Sequence, residues 1–414
     1  MLPTFVKPHR DSLSASTADT QKLFVLLKAI PAGDLAAARP QLALALVIDT
    51  SGSMRDLADA STGEKTARVT KLQQAIEATR RMLTDERLQP HDQFCLISFD
   101  DEARTVSPLS PLDRLHSAQS ALARLDRFSG GTHLAKGLRA AMRELNHAPQ
   151  NAVRRIILLT DGEAFDEKEC YAAARELGET GISLVTMGIG DEYNEELLRD
   201  LAEMAHGRPH HLPAMHDFHS VLESEIGISV REVVTDLQLA AQTVRGVSLD
   251  SITRVYPDLA EIPCSSTHYA LGHMAAGDYT VWTLEFTISG LCRPEGRARL
   301  AQLQLQGFAP ALGQRLSSTH DVTVQFTADE NAIADVDGEV LGYIQQRNAD
   351  RMVQNAVRQL KTNATAAQQS LESAAQLTRR VGNAMQTKVL EESLHELRTT
   401  GSLSRNARKT VTLS

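Results

Sequence analysis

Buried-strand and helix signals alternate along residues 41–229, and this alternation constrains the fold more than any other feature of the sequence. QLALALVID is a short apolar run, the mark of a strand covered on both faces. Val69, Leu72, Ile76, Thr79 and Leu83 then recur at helical spacing. FCLISF (94–99) and ARTVSPL (103–109) are further strands, and 113–125 and about 134–147 are helices on either side of Gly130–Gly131. AVRRIILLT, ISLVTMGIG and HHLP add strands. EKECYAAARELGETG, NEELLRDLAEMAHG and 216–229 add helices. Parallel strands need crossovers of about a dozen residues, so helices of this length predict an open, doubly wound, mostly parallel sheet. In such sheets a ligand crevice lies at the C-terminal strand ends, where the strand order switches.

The rest of the chain reads differently. At about 150 residues per domain, 414 residues leave room for more than one domain. From about 230 to 327, VVTDLQLAAQTV, SITRVYP, YTVWTLEFTISGL, ARLAQLQLQGF and HDVTVQFTA alternate with period two, which predicts an antiparallel β-sandwich. LFVLLKAIP (23–31) has the same character, so the α/β domain is expected to be inserted into the sandwich. Leu341, Ile344, Met352, Val353, Ala356, Val357 and Leu360 mark a long helix, followed by helices near 364–381 and 384–399. The expected organisation is α/β plus β plus α: 1–40 a strand segment joining the sandwich, 41–229 the α/β domain, 230–330 the sandwich, 331–400 the helical region and 401–414 a mobile tail.

Composition narrows the function. A net charge of −9 gives no basic footprint for general nucleic-acid binding. No apolar run approaches the roughly 20 residues of a membrane span. The first residues, MLPTFVKPHRDSLSAS, lack an apolar core, so no secretory signal is expected. Cys95, Cys170, Cys264 and Cys292 are widely spaced, with no CxxC. The expectation is a cytoplasmic protein with free thiols.

The candidate chemistry begins where the first buried strand ends, at Asp49-Thr50-Ser51-Gly52-Ser53. This places one carboxylate and two hydroxyls on a turn, with Gly52 expected to permit the bend. Thr132 lies in the loop before a helix, and Asp161 follows the strand Ile156 to Leu159. All five are hard oxygen donors, suited to Mg²⁺, with Mn²⁺ or Ca²⁺ as alternatives. They are expected on exposed loops above the core. Mg²⁺ takes six ligands at about 2.0–2.1 Å, so five donors leave one position for another molecule.

With these residues in place, 43–229 resembles a von Willebrand factor A (VWA) domain. Asp49, Ser51, Ser53, Thr132 and Asp161 match its metal-ion-dependent adhesion site. LVIDTSGSM, ISFDDEARTVSPLSP, SGGTHLAKGL, IILLTDGEAFD and VTMGIGDEYNEELLRDLAEMAHG read like bacterial members. The resemblance implies direct coordination by Ser51, Ser53 and Thr132, with Asp49 and Asp161 often acting through water. It implies that a Glu or Asp of a partner protein completes the sixth position. Partners suggested by the family are an AAA+ ATPase of the MoxR type or a protein kinase and phosphatase set of stress-response systems. The expectation is a non-enzymatic, metal-dependent interaction module. The alternative is an accessory subunit of an ATPase-driven chelatase or cofactor-insertion machine.

Other motifs carry less. G-x-S-x-G is absent, and no His lies near Ser51 or Ser53 in sequence, so a serine hydrolase is disfavoured. There is no P-loop, and Gly188-Ile189-Gly190 lacks a third glycine. His206, His210, His211, His216 and His219 cluster in sequence. However, neighbours on a strand face opposite ways, and a surface loop with an edge strand is expected. Asp100, Asp101 and Glu102 read as a solvated turn, and Asp166, Glu167 and Glu169 as the acidic first turn of a helix. Arg405, Arg408 and Lys409 flank Ser404, Thr410 and Thr412 in the tail, a candidate regulated docking segment.

Overall fold

The computed structural model describes residues 2–410, apart from 17–18, 59–68, 263–267, 290–292, 361–362, 381, 401, 405–406 and 409. Cys264, Cys292, Arg405, Lys409 and Thr412 lie outside the described residues. The chain opens with strands β1 (Thr4–Pro8), β2 (Ser12–Ser14) and β3 (Gln21–Ala29) and a single turn of helix, α1 (Asp34–Ala37). An α/β domain follows. Its strands are β4 (Gln41–Asp49), β5 (Gln93–Phe99), β6 (Ala103–Pro111), β7 (Ala152–Thr160), β8 (Ser183–Ile189) and β9 (Pro209–Leu212). Its helices are α2 (Lys71–Met82), α3 (Leu115–Leu122), α4 (Leu134–Leu145), α5 (Glu167–Glu179), α6 (Glu195–Met204) and α7 (Asp217–Ser229).

These six strands form one sheet in the order β6-β5-β4-β7-β8-β9, parallel except for β6. β4 shows why a sequence rich in helix formers becomes a strand. Leu42, Leu44, Leu46 and Ile48 enter the core beneath α2 and α7, while Ala43, Ala45 and Val47 enter the core beneath α4 and α5. The period is two, and burial on both faces overrides the helix propensity of Ala and Leu. Small residues line the α4 side because that helix approaches closely: a Cβ on Gly137 would stand 3.0 Å from both Val47 and Phe99.

After α7 come β10 (Glu232–Thr243), β11 (Val247–Tyr256), β12 (Ala260–Ile262), β13 (His268–Ala275), β14 (Thr280–Ile288), β15 (Gly296–Ala309) and β16 (Gln314–Thr327). They form two sheets, β1-β3-β14-β11-β12 and β13-β10-β15-β16-β2, whose inner faces share one core around Trp282, Phe286, Leu284, Leu303 and Leu305. β3 lies between β1 and β14, with Leu27 opposite Trp282. The α/β domain is thus inserted into the sandwich. HYALGHMA, which forms β13, and the short strands β1, β2 and β12 carry too little periodicity to be read from sequence.

Helices α8 (Glu330–Ala334), α9 (Gly338–Gln359), α10 (Ala364–Arg380) and α11 (Ala384–Thr400) close the chain. Val340 and Ile344 of α9 cover Leu26, Val255 and Val281 on the outer face of the first sheet. Farther along, Val353 and Ala356 build a separate core with Leu371, Ala374, Leu390 and Leu394. Arg408 of the tail forms an ion pair with Glu195 of α6 at 2.5 Å, so this tail residue is anchored. No helix among the described residues is long and apolar enough to cross a membrane.

α6, β12 and α9 meet around two carboxylates. Burial pushes Glu203 up to about 7 and outweighs the opposing pull of Arg199. Burial likewise lifts Asp350 to about 6, again against Arg199. Each group binds its proton more tightly folded than unfolded, so stability falls as pH rises from about 4.5 to 7 for Glu203 and from about 3.8 to 6 for Asp350. Glu203→Gln should remove its share of that slope. Relative to wild type, the variant is expected to gain on the order of 1–2 kcal/mol between pH 5 and pH 8. Urea denaturation at the two pH values measures it, and parallel profiles would contradict the assignment.

Candidate functional site

The chain order of the central sheet reverses between β4 and β7, so the loops leaving these two strands diverge around a crevice. Asp49 is the last residue of β4, and Asp161 follows the last residue of β7. A 3₁₀ turn at Gly52–Arg55 brings Ser53 back beneath Asp161. The Ser53 hydroxyl donates to Asp161 Oδ1 at 2.6 Å, and the Ser51 and Ser53 oxygens lie 3.1 Å apart. Gly52 N–H donates to the Gly130 carbonyl at 3.2 Å, tying this turn to the loop that carries Thr132. Gly52 is not among the positive-φ glycines and a Cβ there would meet nothing within 4 Å, so the bend does not require a glycine.

Thr132 completes the group. A Cβ on Gly162 would lie 3.2 Å from Thr132 Oγ1 and 3.9 Å from Ser53 Oγ. Both hydroxyls therefore face the same small space, kept open by a glycine beside Asp161. The atoms that Ser51, Ser53, Thr132, Asp49 and Asp161 offer are hydroxyl and carboxylate oxygens, the chemistry that fits Mg²⁺ or another hard divalent cation.

The expectation of exposed ligands fails. Asp49 is completely buried, and Asp161, Ser51 and Thr132 are nearly so. The loops fold inward because the Asp49 carboxylate organises them. Its Oδ1 accepts the Ser51 N–H at 2.8 Å, and its Oδ2 accepts the Thr160 hydroxyl at 2.6 Å. Burial pushes Asp49 up to about 6, against the hydrogen bonds from Thr160 and Ser51 and with help from the charge of Asp161.

Three neighbours were not marked by the sequence. Thr160 orients Asp49. The Lys71 ammonium donates to Asp161 Oδ2 at 2.6 Å. The Phe165 N–H donates to the Thr132 carbonyl at 2.9 Å, and its ring meets His133 edge-on at 5.8 Å while remaining 72% exposed. The sequence carries no signal for Phe165, since its exposure shows only in the fold.

The acidic turn divides. Asp100 is buried and accepts Arg104 at 2.9 Å, whereas Asp101 is exposed and accepts the Gly131 N–H at 3.0 Å, bracing the Thr132 loop. Asp166 accepts the Ala135 N–H at 3.0 Å, so it serves the start of α4. The histidines disperse. His210 pairs with Glu225 at 3.0 Å and His211 with Tyr193 at 2.8 Å. His206 packs on His273 with ring centroids 6.3 Å apart, and His219 faces Glu223.

Residues 43–225 match the family model described as the von Willebrand factor type A domain. Over the whole chain the fold is similar to a von Willebrand factor type A protein from Catenulispora acidiphila. The TM-score is 0.81 at 18% identity, covering 100% of this chain and 96% of that one. It is also similar to the ArnB paralog VWA2 of Sulfolobus acidocaldarius, with a TM-score of 0.64 at 12% identity, covering 99% and 97%. An uncharacterized protein of Synechocystis sp. is 24% identical over 78% of this chain and 76% of its own length. The segment 43–225, with its crevice at the switch point of the sheet, is a von Willebrand factor type A domain.

Proposed function

We propose that the chain is a non-enzymatic, cytoplasmic interaction protein that docks an acidic partner through a divalent cation, Mg²⁺ first among them. What supports this reading is that Ser51, Ser53 and Asp161 are in contact at the sheet's switch point, that the Thr132 and Ser53 hydroxyls face one space beside Gly162, and that Asp49 holds the Ser51 backbone. When bound there, the cation supplies a positive focus with a coordination position for a partner's carboxylate. Ser51, Ser53 and Thr132 would hold it directly, with Asp49 and Asp161 balancing its charge. The Phe165 ring beside Thr132 offers an apolar contact next to the charged one, the pairing of features found at interface hot spots. The Ser51 and Ser53 hydroxyls engage each other and Asp161, an arrangement suited to ligands and not to an activated nucleophile.

The test is capture of partners from the native host with the tagged full chain, in Mg²⁺ and in EDTA. A MoxR-type ATPase, a kinase or phosphatase, or a chelatase component is the class of protein expected. The partner should be retained in Mg²⁺, lost at least about tenfold in EDTA, and lost equally by Thr132→Val in Mg²⁺. Retention that ignores both EDTA and Thr132→Val would contradict the reading.

A further inference from the structure

Lys71 is the first residue of α2, directly after the N-cap Thr70. A helix N-terminus carries the positive end of the macrodipole, so a cation there is unfavourable. The first turn of α2 contains no acidic residue to offset it. The backbone at this end is already served by a capping box, in which Thr70 accepts the Gln73 N–H at 3.2 Å and Gln73 accepts the Thr70 N–H at 3.1 Å. Lys71 therefore breaks a local rule without contributing to the helix. Such positions concentrate at functional sites.

The ammonium is held instead by Asp161, at 2.6 Å from Oδ2. The Asp161 side chain has no exposed surface, and Lys71 retains only 21% of its own. The other carboxylate oxygen accepts the Ser53 hydroxyl. One cation of this chain thus already engages the carboxylate that a divalent cation would require.

We propose that Lys71 is a built-in competitor for the metal. Its ammonium neutralises Asp161, and a divalent cation binds only as that ion pair is given up. The inference rests on the metal reading above and adds a regulator to it. A buried carboxylate needs a cation, and a single charge on a flexible four-carbon stem is one that can leave. Because the exchange weakens metal binding, a partner carboxylate that completes the coordination would also favour it. Metal and acidic partner would then bind with positive cooperativity. Lys71 acts here as an affinity-setting residue, not as a ligand.

Calorimetric titration of Mg²⁺ into the EDTA-treated, dialysed full chain tests the proposal on wild type, Lys71→Met, Lys71→Gln and Lys71→Arg. Removing the charge is expected to tighten Mg²⁺ about tenfold in both neutral variants, the scale of one charge-assisted hydrogen bond. Lys71→Arg, which keeps a cation, should remain within about twofold of wild type. Thermal melting gives a second readout: the Mg²⁺-induced rise in Tm should be larger for the neutral variants than for wild type, which also verifies that they fold. Binding by Lys71→Met but not by wild type would support the proposal in its strongest form. Equal affinity and equal melting increments in wild type and the neutral variants would overturn it while leaving the metal reading intact. No Mg²⁺ binding by any of the four proteins would overturn both.

Discussion

Arg155→Ala is expected to destabilise the protein by about 3–5 kcal/mol, the cost of leaving buried acids without their cation. Arg155 lies on β7 and is almost fully enclosed. Its Nη2 donates to Glu232 at 2.6 Å, its Nη1 to Ser229 at 2.8 Å and its Nε to Ser183 at 3.1 Å. Glu225 lies 3.4 Å from Nη1 and also pairs with His210. Burial pushes Glu225 upward, but the His210 hydrogen bond, Arg155 and Arg208 outweigh it and hold the acid down near 2. Arg208 extends the network to Asp258 at 2.6 Å. Since Glu232 begins β10 of the sandwich and Glu225 lies on α7, the last helix of the α/β domain, this cluster locks the two together. Arg155→Met with Glu232→Leu should recover part of the loss, because Glu225 keeps Arg208 and His210 while no unpaired acid remains at 232. Urea denaturation measures both. A loss below about 1 kcal/mol for Arg155→Ala would show that the junction is hydrated and not locked.

The second large effect concerns the crevice. The double variant Ser51→Ala, Ser53→Ala removes two direct donors of the proposed metal site. It is expected to weaken Mg²⁺ binding by more than about a hundredfold, roughly tenfold per lost donor. Stability should change little by comparison. The buried Asp161 loses the Ser53 hydroxyl but keeps Lys71, and Asp49 keeps its hydrogen bonds from Thr160 and the Ser51 backbone. Asp49→Ala is the poorer test. It deletes a buried carboxylate that satisfies two donors, so lost folding would be confused with lost binding. Unchanged Mg²⁺ affinity in the double variant would remove Ser51 and Ser53 from the site.

Much of this arrangement was legible in the sequence. β4 and β7 end where the apolar runs QLALALVI and VRRIILL end, so Asp49 and Asp161 could be placed at strand termini. Thr132 followed from a Gly-Gly break before an amphipathic helix. The insertion of the α/β domain showed in LFVLLKAI, an apolar segment with no vacant place in the α/β pattern. It pairs with β14 in the sandwich. What stayed hidden depends on contacts between distant residues. Lys71 looks like an ordinary charged residue on an exposed helix face until Asp161 is brought beside it. The burial of Asp49 depends on Thr160, and the role of Asp166 on the backbone of α4. Periodicity reports which face of an element is covered but not what covers it. The pairing of α9 with the outer surface of β3 and β14 was therefore beyond a reading of either segment alone.

If Asp49, Ser51, Ser53, Thr132 and Asp161 form one divalent-cation site, a single ion should be found among them. Crystals of the full chain grown with Mn²⁺, measured at the manganese absorption edge, test it most directly. A single strong anomalous peak is expected at the C-terminal ends of β4 and β7, within about 2.5 Å of the Ser51, Ser53 and Thr132 hydroxyl oxygens. A peak elsewhere, or no peak at saturating Mn²⁺ in crystals of either wild type or Lys71→Met, would rule the site out.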